Sequence, residues 1–179
     1  MIKININYKK SIFLLLLGLS LFLLGSPKVY SQNDYINYQN DIYQYKLFIP
    51  ALWSKVDYDL GYKNILVLNR NDKAKIKITA SRMIAKEKAK WQDWKSWYLK
   101  GVGKNLTNIL ETNEIVSKNK FIREVLIFEY QDRQKKIMQK VYLGQLDNLF
   151  VAIECSSSQK DFYSYNNIFN TVIKSLGKI

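Results

Sequence analysis

The chain predicts an α+β fold, a mostly antiparallel sheet with helices on both faces. Three observations lead there. Several short runs alternate apolar and polar residues, as half-buried strands do. Twice the apolar spacing changes to three or four residues, as on one face of a helix. The order is strands, helix, strands, helix, and short turns join the later strands, which suits antiparallel neighbours.

The first segment reads as an address. Lys9 and Lys10 precede an apolar run from Ile12 to Leu24, which Gly25, Ser26 and Pro27 break. Val29-Tyr30-Ser31 then offers small residues at the two positions a signal peptidase tests. The run is shorter than the ~20 residues that span a bilayer. Residues 1–31 are therefore expected to be a cleavable signal peptide, with an uncleaved anchor as the alternative. Residues 32–179 are expected to form one exported domain, periplasmic or extracellular, and a monomer.

Within that domain, residues 32–41 are polar with scattered aromatics and read as a loose lead-in. Tyr43, Tyr45 and Leu47 alternate with polar residues in a strand closed by Pro50, and Trp53 and Val56 follow in a loop. A second strand covers Asn64 to Asn69. Arg70-Asn71-Asp72-Lys73 supplies a turn, and Ile76, Ile78 and Ala80 share one side of a third strand.

Trp91, Trp94, Tyr98, Val102, Leu106 and Ile109 then recur every three or four residues, the stripe of a helix placed at 88–100 and less firmly beyond. Gly101 and Gly103 each cost it about 1 kcal/mol relative to alanine. Ile115-Val116 are assigned to a strand. Phe121–Tyr130, Ile137–Leu143 and Leu149–Cys155 form a meander. Ser158 and Asp161 resemble a capping pair that opens a last helix bearing Phe162, Tyr165, Phe169, Val172, Ile173 and Leu176, ended by Gly177.

Composition narrows the chemistry. The net charge is +13; the signal holds Lys3, Lys9, Lys10 and Lys28 and no acid, so the exported part carries four fewer, +9. Such a charge suits anionic partners. An excess of lysine over arginine fits a solvated surface equally well, and export argues against nucleic acid. The chain has no histidine, which removes the commonest general base and the usual zinc and copper sites; no cofactor or metal is expected. Cys155, the single cysteine, follows Val151 and Ile153 at alternate positions and reads as a small buried hydrophobe.

In order along residues 41–177, several features resemble the PsbP/DcrB-like extracytoplasmic bacterial proteins of the Mog1/PsbP-like fold. They are a strand ending Ile49-Pro50 with Trp53 close behind, Tyr142-Leu143-Gly144 in the meander, Ile153-Glu154-Cys155, and a terminal helix with Phe162, Tyr165, Phe169 and Ser175. Leu52 stands where that family usually has glycine. The resemblance implies an α/β/α sandwich used for binding and assembly. Plant and cyanobacterial members associate with photosystem II, and a eukaryotic cousin binds a small GTPase. The metal-related roles of photosynthetic members do not carry over to a chain without histidine.

The expected function is a non-enzymatic binding or assembly domain of the cell envelope, taking an envelope protein as partner. Its contact surface would comprise Lys86, Lys88, Lys90, Lys95, Trp97 and Lys104. Trp91 and Trp94 fall on the helix's core stripe, whereas Trp97 falls at its border and suits a docking anchor. The alternative from another class is a peripheral protein using the same residues on anionic lipid. A histidine-free hydrolase is the distant one, with Asp57 and Asp59, or Glu111 and Glu114, as the paired carboxylates to consider. Asn105-Leu106-Thr107 fits the glycosylation triplet, which recurs by chance.

Overall fold

The computed structural model describes residues 34–82, 91–102, 108–110 and 119–179, all within the compact unit Gln32–Ile179. The signal segment, residues 88–90, Leu106, the 105–107 triplet, Glu111, Glu114 and Ile115-Val116 lie outside the described residues.

The α+β expectation holds, and every strand pair is antiparallel. Among the described residues there are two sheets rather than one. The larger has the order β3-β4-β5-β9-β8-β7-β6, formed by β3 (Ser54–Asp59), β4 (Lys63–Arg70), β5 (Ala74–Arg82), β6 (Asn108–Leu110), β7 (Ile122–Asp132), β8 (Lys135–Leu146) and β9 (Leu149–Ser158). The smaller has β1 (Tyr35–Asn40), β2 (Tyr45–Pro50) and the two-residue β10 (Gly177–Lys178), with β2 in the middle. The helices are α1 (Trp91–Val102) and α2 (Phe162–Ser175).

Alternation along β9 distributes the core. Val151, Ile153 and Cys155 share one cluster with Leu66, Leu68, Ile76 and Ile78 of the neighbouring strands. Tyr45, Leu47 and Ile49 of β2 and Phe162, Phe169, Val172 and Ile173 of α2 close over them. Burying each Leu, Ile or Phe is worth about 1.5–3 kcal/mol. Phe150 and Ala152, the intervening residues, join Leu126, Phe128, Val141 and Leu143 in a second cluster under Trp94 and Tyr98 of α1. Cys155 is fully buried, as its spacing predicts, and burial raises its thiol pKa.

Three expectations need correction. The polar lead-in contains β1, whose ladder to β2 supplies order that its composition hides. Val56 lies in β3 rather than a loop, in a strand with all six residues exposed and hence no burial pattern to read. Ile109 belongs to β6 and so leaves the helical stripe, which the described residues carry as far as Val102.

Two details of the meander follow from close backbone approach. A Cβ on Gly144 would lie 2.7 Å from the Phe121 carbonyl oxygen, to which Gln145 N–H donates at 2.9 Å. A register shift in β7 between Ile122 and Glu124 lets Ile122 and Val125, three apart, enter the same cluster. At the start of α2, Asp161 occupies the cap position without a side-chain cap bond; the Ser158 hydroxyl donates to its carboxylate at 2.6 Å instead. At the far end, Asn119, from outside the helix, donates to the Ile173 and Leu176 carbonyls at 2.8 Å each. It also accepts the Phe121 N–H at 2.9 Å.

Candidate functional site

Helix α1 sits on its sheet through aromatic rings. Trp94 stacks on Phe150 with centroids 5.1 Å apart and on Tyr98 at 5.6 Å. Trp91 lies against both Trp94 and Phe150, and the Arg123 guanidinium covers it at 5.2 Å. Lys95 is bound to Glu124 of β7 at 2.5 Å with both side chains largely shielded, which pins the helix and compensates that ammonium. Lys95 therefore has an internal partner instead of a free charge.

Trp97 is 56% exposed. Lys100, also exposed, lies three residues on, in the last turn, where a cation suits the helix dipole. The described part of the surface is thus one open indole with Lys100 on one side and the exposed Asp93, four residues before Trp97, on the other. Lys86, Lys88, Lys90 and Lys104 lie outside the described residues.

Beneath the helix is a polar group that no residue spacing points to. Glu154 of β9 accepts from Lys77 at 3.0 Å and from Gln139 at 3.1 Å. The Tyr98 hydroxyl lies beside this carboxylate without hydrogen-bond geometry, and burial, then the Glu154 charge, raise its pKa. Among the described residues, Trp94 Nε1 likewise has no partner.

The paired carboxylates of the 57–59 segment lie in a second network. Tyr38 OH donates to Asp57 Oδ2 at 2.6 Å, and Asn64 Nδ2 donates to Asp57 Oδ1 at 2.6 Å. Tyr45 OH, wholly buried, donates to Asn64 Oδ1 at 2.6 Å. Asp59 accepts from Tyr43 OH at 3.1 Å and Gly61 N–H at 2.8 Å. The Arg82 guanidinium lies over the Tyr43 ring at 5.3 Å. Tyr38 of β1, Tyr45 of β2 and Tyr43 of the turn between them thus bond to β3 and β4, so the two aspartates, with Asn64, tie the small sheet to the large one. Their partners are 19 and 16 residues away along the chain, beyond any local spacing rule. Among the described residues, no three Cys, Asp or Glu side chains gather as metal ligands would.

Residues quoted for the family resemblance have structural duties. Trp53 is buried edge-on against Tyr165 of α2 at 6.1 Å. The Ser175 hydroxyl accepts Phe48 N–H at 2.7 Å and donates to the Val172 carbonyl at 2.7 Å, fastening β2 to the end of α2. Leu52 stands open to solvent.

No protein-family model and no curated protein match the chain. Among solved structures it is similar to the cyanobacterial PsbP (CyanoP) of Synechocystis sp. PCC 6803, at 15% identity and a TM-score of 0.54, over 88% of this chain and 99% of that one. It is also similar to a Bacteroides thetaiotaomicron protein, at 11% identity and a TM-score of 0.53. That match covers 82% of this chain but only 49% of the other, so the present chain spans about half its length. At these identities the likeness concerns the fold, which is PsbP-like.

Proposed function

We propose that the chain is an exported, non-enzymatic binding or assembly domain of the cell envelope, an α/β/α sandwich of the PsbP/DcrB kind that docks a protein partner on α1. The observation that carries this reading is Trp97. Its two neighbours on the helix, Trp91 and Trp94, are packed on the sheet, and it alone of the four tryptophans stands open. A large, rigid aromatic on a fixed helix is the kind of residue that anchors an interface at small entropic cost. Lys100 and the sequence neighbours Lys86, Lys88, Lys90 and Lys104 would form a basic rim favouring an acidic partner. Export rests on the basic, apolar and small-residue pattern of residues 1–31. The absence of histidine and the commitment of Asp57 and Asp59 to tyrosine and amide donors favour binding over hydrolysis.

The test is a pull-down from envelope extract with residues 32–179, paired with Trp97→Ala, over a salt series. Retention of a discrete protein by the parent and its loss with Trp97→Ala supports the reading. Binding to anionic vesicles that vanishes with salt and ignores Trp97 would favour the lipid alternative and end this one.

A further inference from the structure

The open edge of the larger sheet is built to pair with itself. All six residues of β3 are exposed, including Val56 at 46% and Tyr58 at 51%, so no described part of the chain covers this strand, although Asp57 and Asp59 reach back to Tyr38 and Tyr43 and Lys55 lies over the Tyr38 ring at 5.4 Å. The β3–β4 hairpin fixes which backbone groups are free. Leu60 N–H donates to the Lys63 carbonyl at 2.9 Å. In the same register Tyr58 faces Ile65 and Val56 faces Val67. Hydrogen-bonded pairs alternate along an antiparallel ladder, so the even-numbered residues spend their backbone groups on β4. The N–H and C=O groups of Lys55, Asp57 and Asp59 therefore point outward from the edge.

We propose that β3 pairs with β3 of a second copy, antiparallel, with Val56 on the two-fold axis. Only strand phases that oppose outward-pointing residues can form bonds, and charge chooses among them. Asp57 on Asp57, Asp57 on Asp59 or Lys55 on Lys55 would each bring like charges together, which destabilises a cross-strand pair. With Val56 on the axis, Lys55 of each copy meets Asp57 of the other, twice over, and no like charges meet. On the opposite side of the strand, Val56 and Tyr58, flanked by Val67 and Ile65, would become one apolar stripe running across the axis. The segment has no proline or bulge to blunt it; its edge charges, Lys55, Asp57 and Asp59, discourage unmatched strands, and the sequence Lys55-Val56-Asp57 is complementary to its own reversal. A two-fold contact requires that self-complementarity, whereas a different partner would not. The pairing departs from the monomer that composition alone leads one to expect.

Cysteine cross-linking of the full chain tests it, because the one native thiol, Cys155, is buried. Val56 would face its own copy at a non-hydrogen-bonded site with Cα atoms about 4.5 Å apart, within disulfide range. Tyr58 would lie about 13 Å along the strand from its counterpart, beyond that range. Mild oxidation of Val56→Cys is expected to give a covalent dimer, Tyr58→Cys to give none, and Lys55→Asp added to Val56→Cys to lose it. A Val56→Cys chain that stays monomeric or cross-links to another protein would overturn the proposal. So would a Tyr58→Cys dimer of equal yield, or indifference to Lys55→Asp.

Discussion

Replacing Asn64 with alanine cuts one of the links by which the small sheet is tied to the large one. Asn64 is 1% exposed; it accepts from Tyr45 OH and donates to Asp57 and to the Tyr58 carbonyl. Asp57 and Tyr58 lie on the exposed edge strand, where water can replace the lost amide. Tyr45 cannot do the same, since its hydroxyl is enclosed and the group left beside it is the Tyr38 hydroxyl, which already donates to Asp57. An orphaned buried hydroxyl costs about 1–3 kcal/mol. With the bonds to Asp57, Asn64→Ala should lose about 2–3 kcal/mol, or roughly 4–10 °C in Tm for a domain of this size. Tyr45→Phe orphans the amide oxygen instead and should lose about 1–2 kcal/mol. The double variant removes donor and acceptor together, so its cost should fall short of the sum by at least about 1 kcal/mol. Urea unfolding of the four proteins, with m unchanged, measures this directly. Additivity within about 0.5 kcal/mol would mean that the two side chains are not coupled, because independent sites add that closely.

Three further outcomes are expected. Gly144→Ala should destabilise by about 2 kcal/mol or more, since its Cβ would meet the Phe121 carbonyl, a backbone atom unable to swing aside; a thermal melt within 1 °C of the parent would contradict this. Trp94→Ala should lose about 3–5 kcal/mol, whereas Trp97→Ala should stay within about 0.5 kcal/mol of the parent, both read by urea titration. Stability should also fall in alkali. Tyr45, Tyr98 and Tyr142 have phenol pKa values raised chiefly by burial, so the folded chain keeps protons that the unfolded chain sheds near pH 10. Their stabilisation is complete below about pH 10 and is lost as pH rises beyond it, by up to about 1.4 kcal/mol per group per pH unit. A melting temperature flat from about pH 9 to 11 would contradict the assignment.

The sequence was most legible where one face of an element meets the core. Ile76, Ile78 and Ala80 show β5 by alternation, and Phe162, Phe169, Val172 and Ile173 show α2 by helical spacing, because burial selects apolar side chains at those periods. It was least legible at the edges. β1 buries only Tyr38 and β3 buries nothing, so backbone pairing holds both strands with little apolar signal. Gly61, at φ +77°, marks the β3–β4 turn and was the one local clue to that hairpin. Trp97 could be assigned to the border of its stripe by angle alone. That Lys95 is tied to Glu124, and Asp57 to Tyr38, depends on contacts between distant segments, and residue spacing holds no information about those.

Whether a partner docks on the outer face of α1 can be read by placing a photoreactive phenylalanine analogue at Trp97 and irradiating the intact envelope. The same probe at Gln39, exposed on β1, serves as the control. A discrete protein adduct is expected from position 97 and not from the control position. No adduct at 97, or the same products from both positions, would rule out docking there.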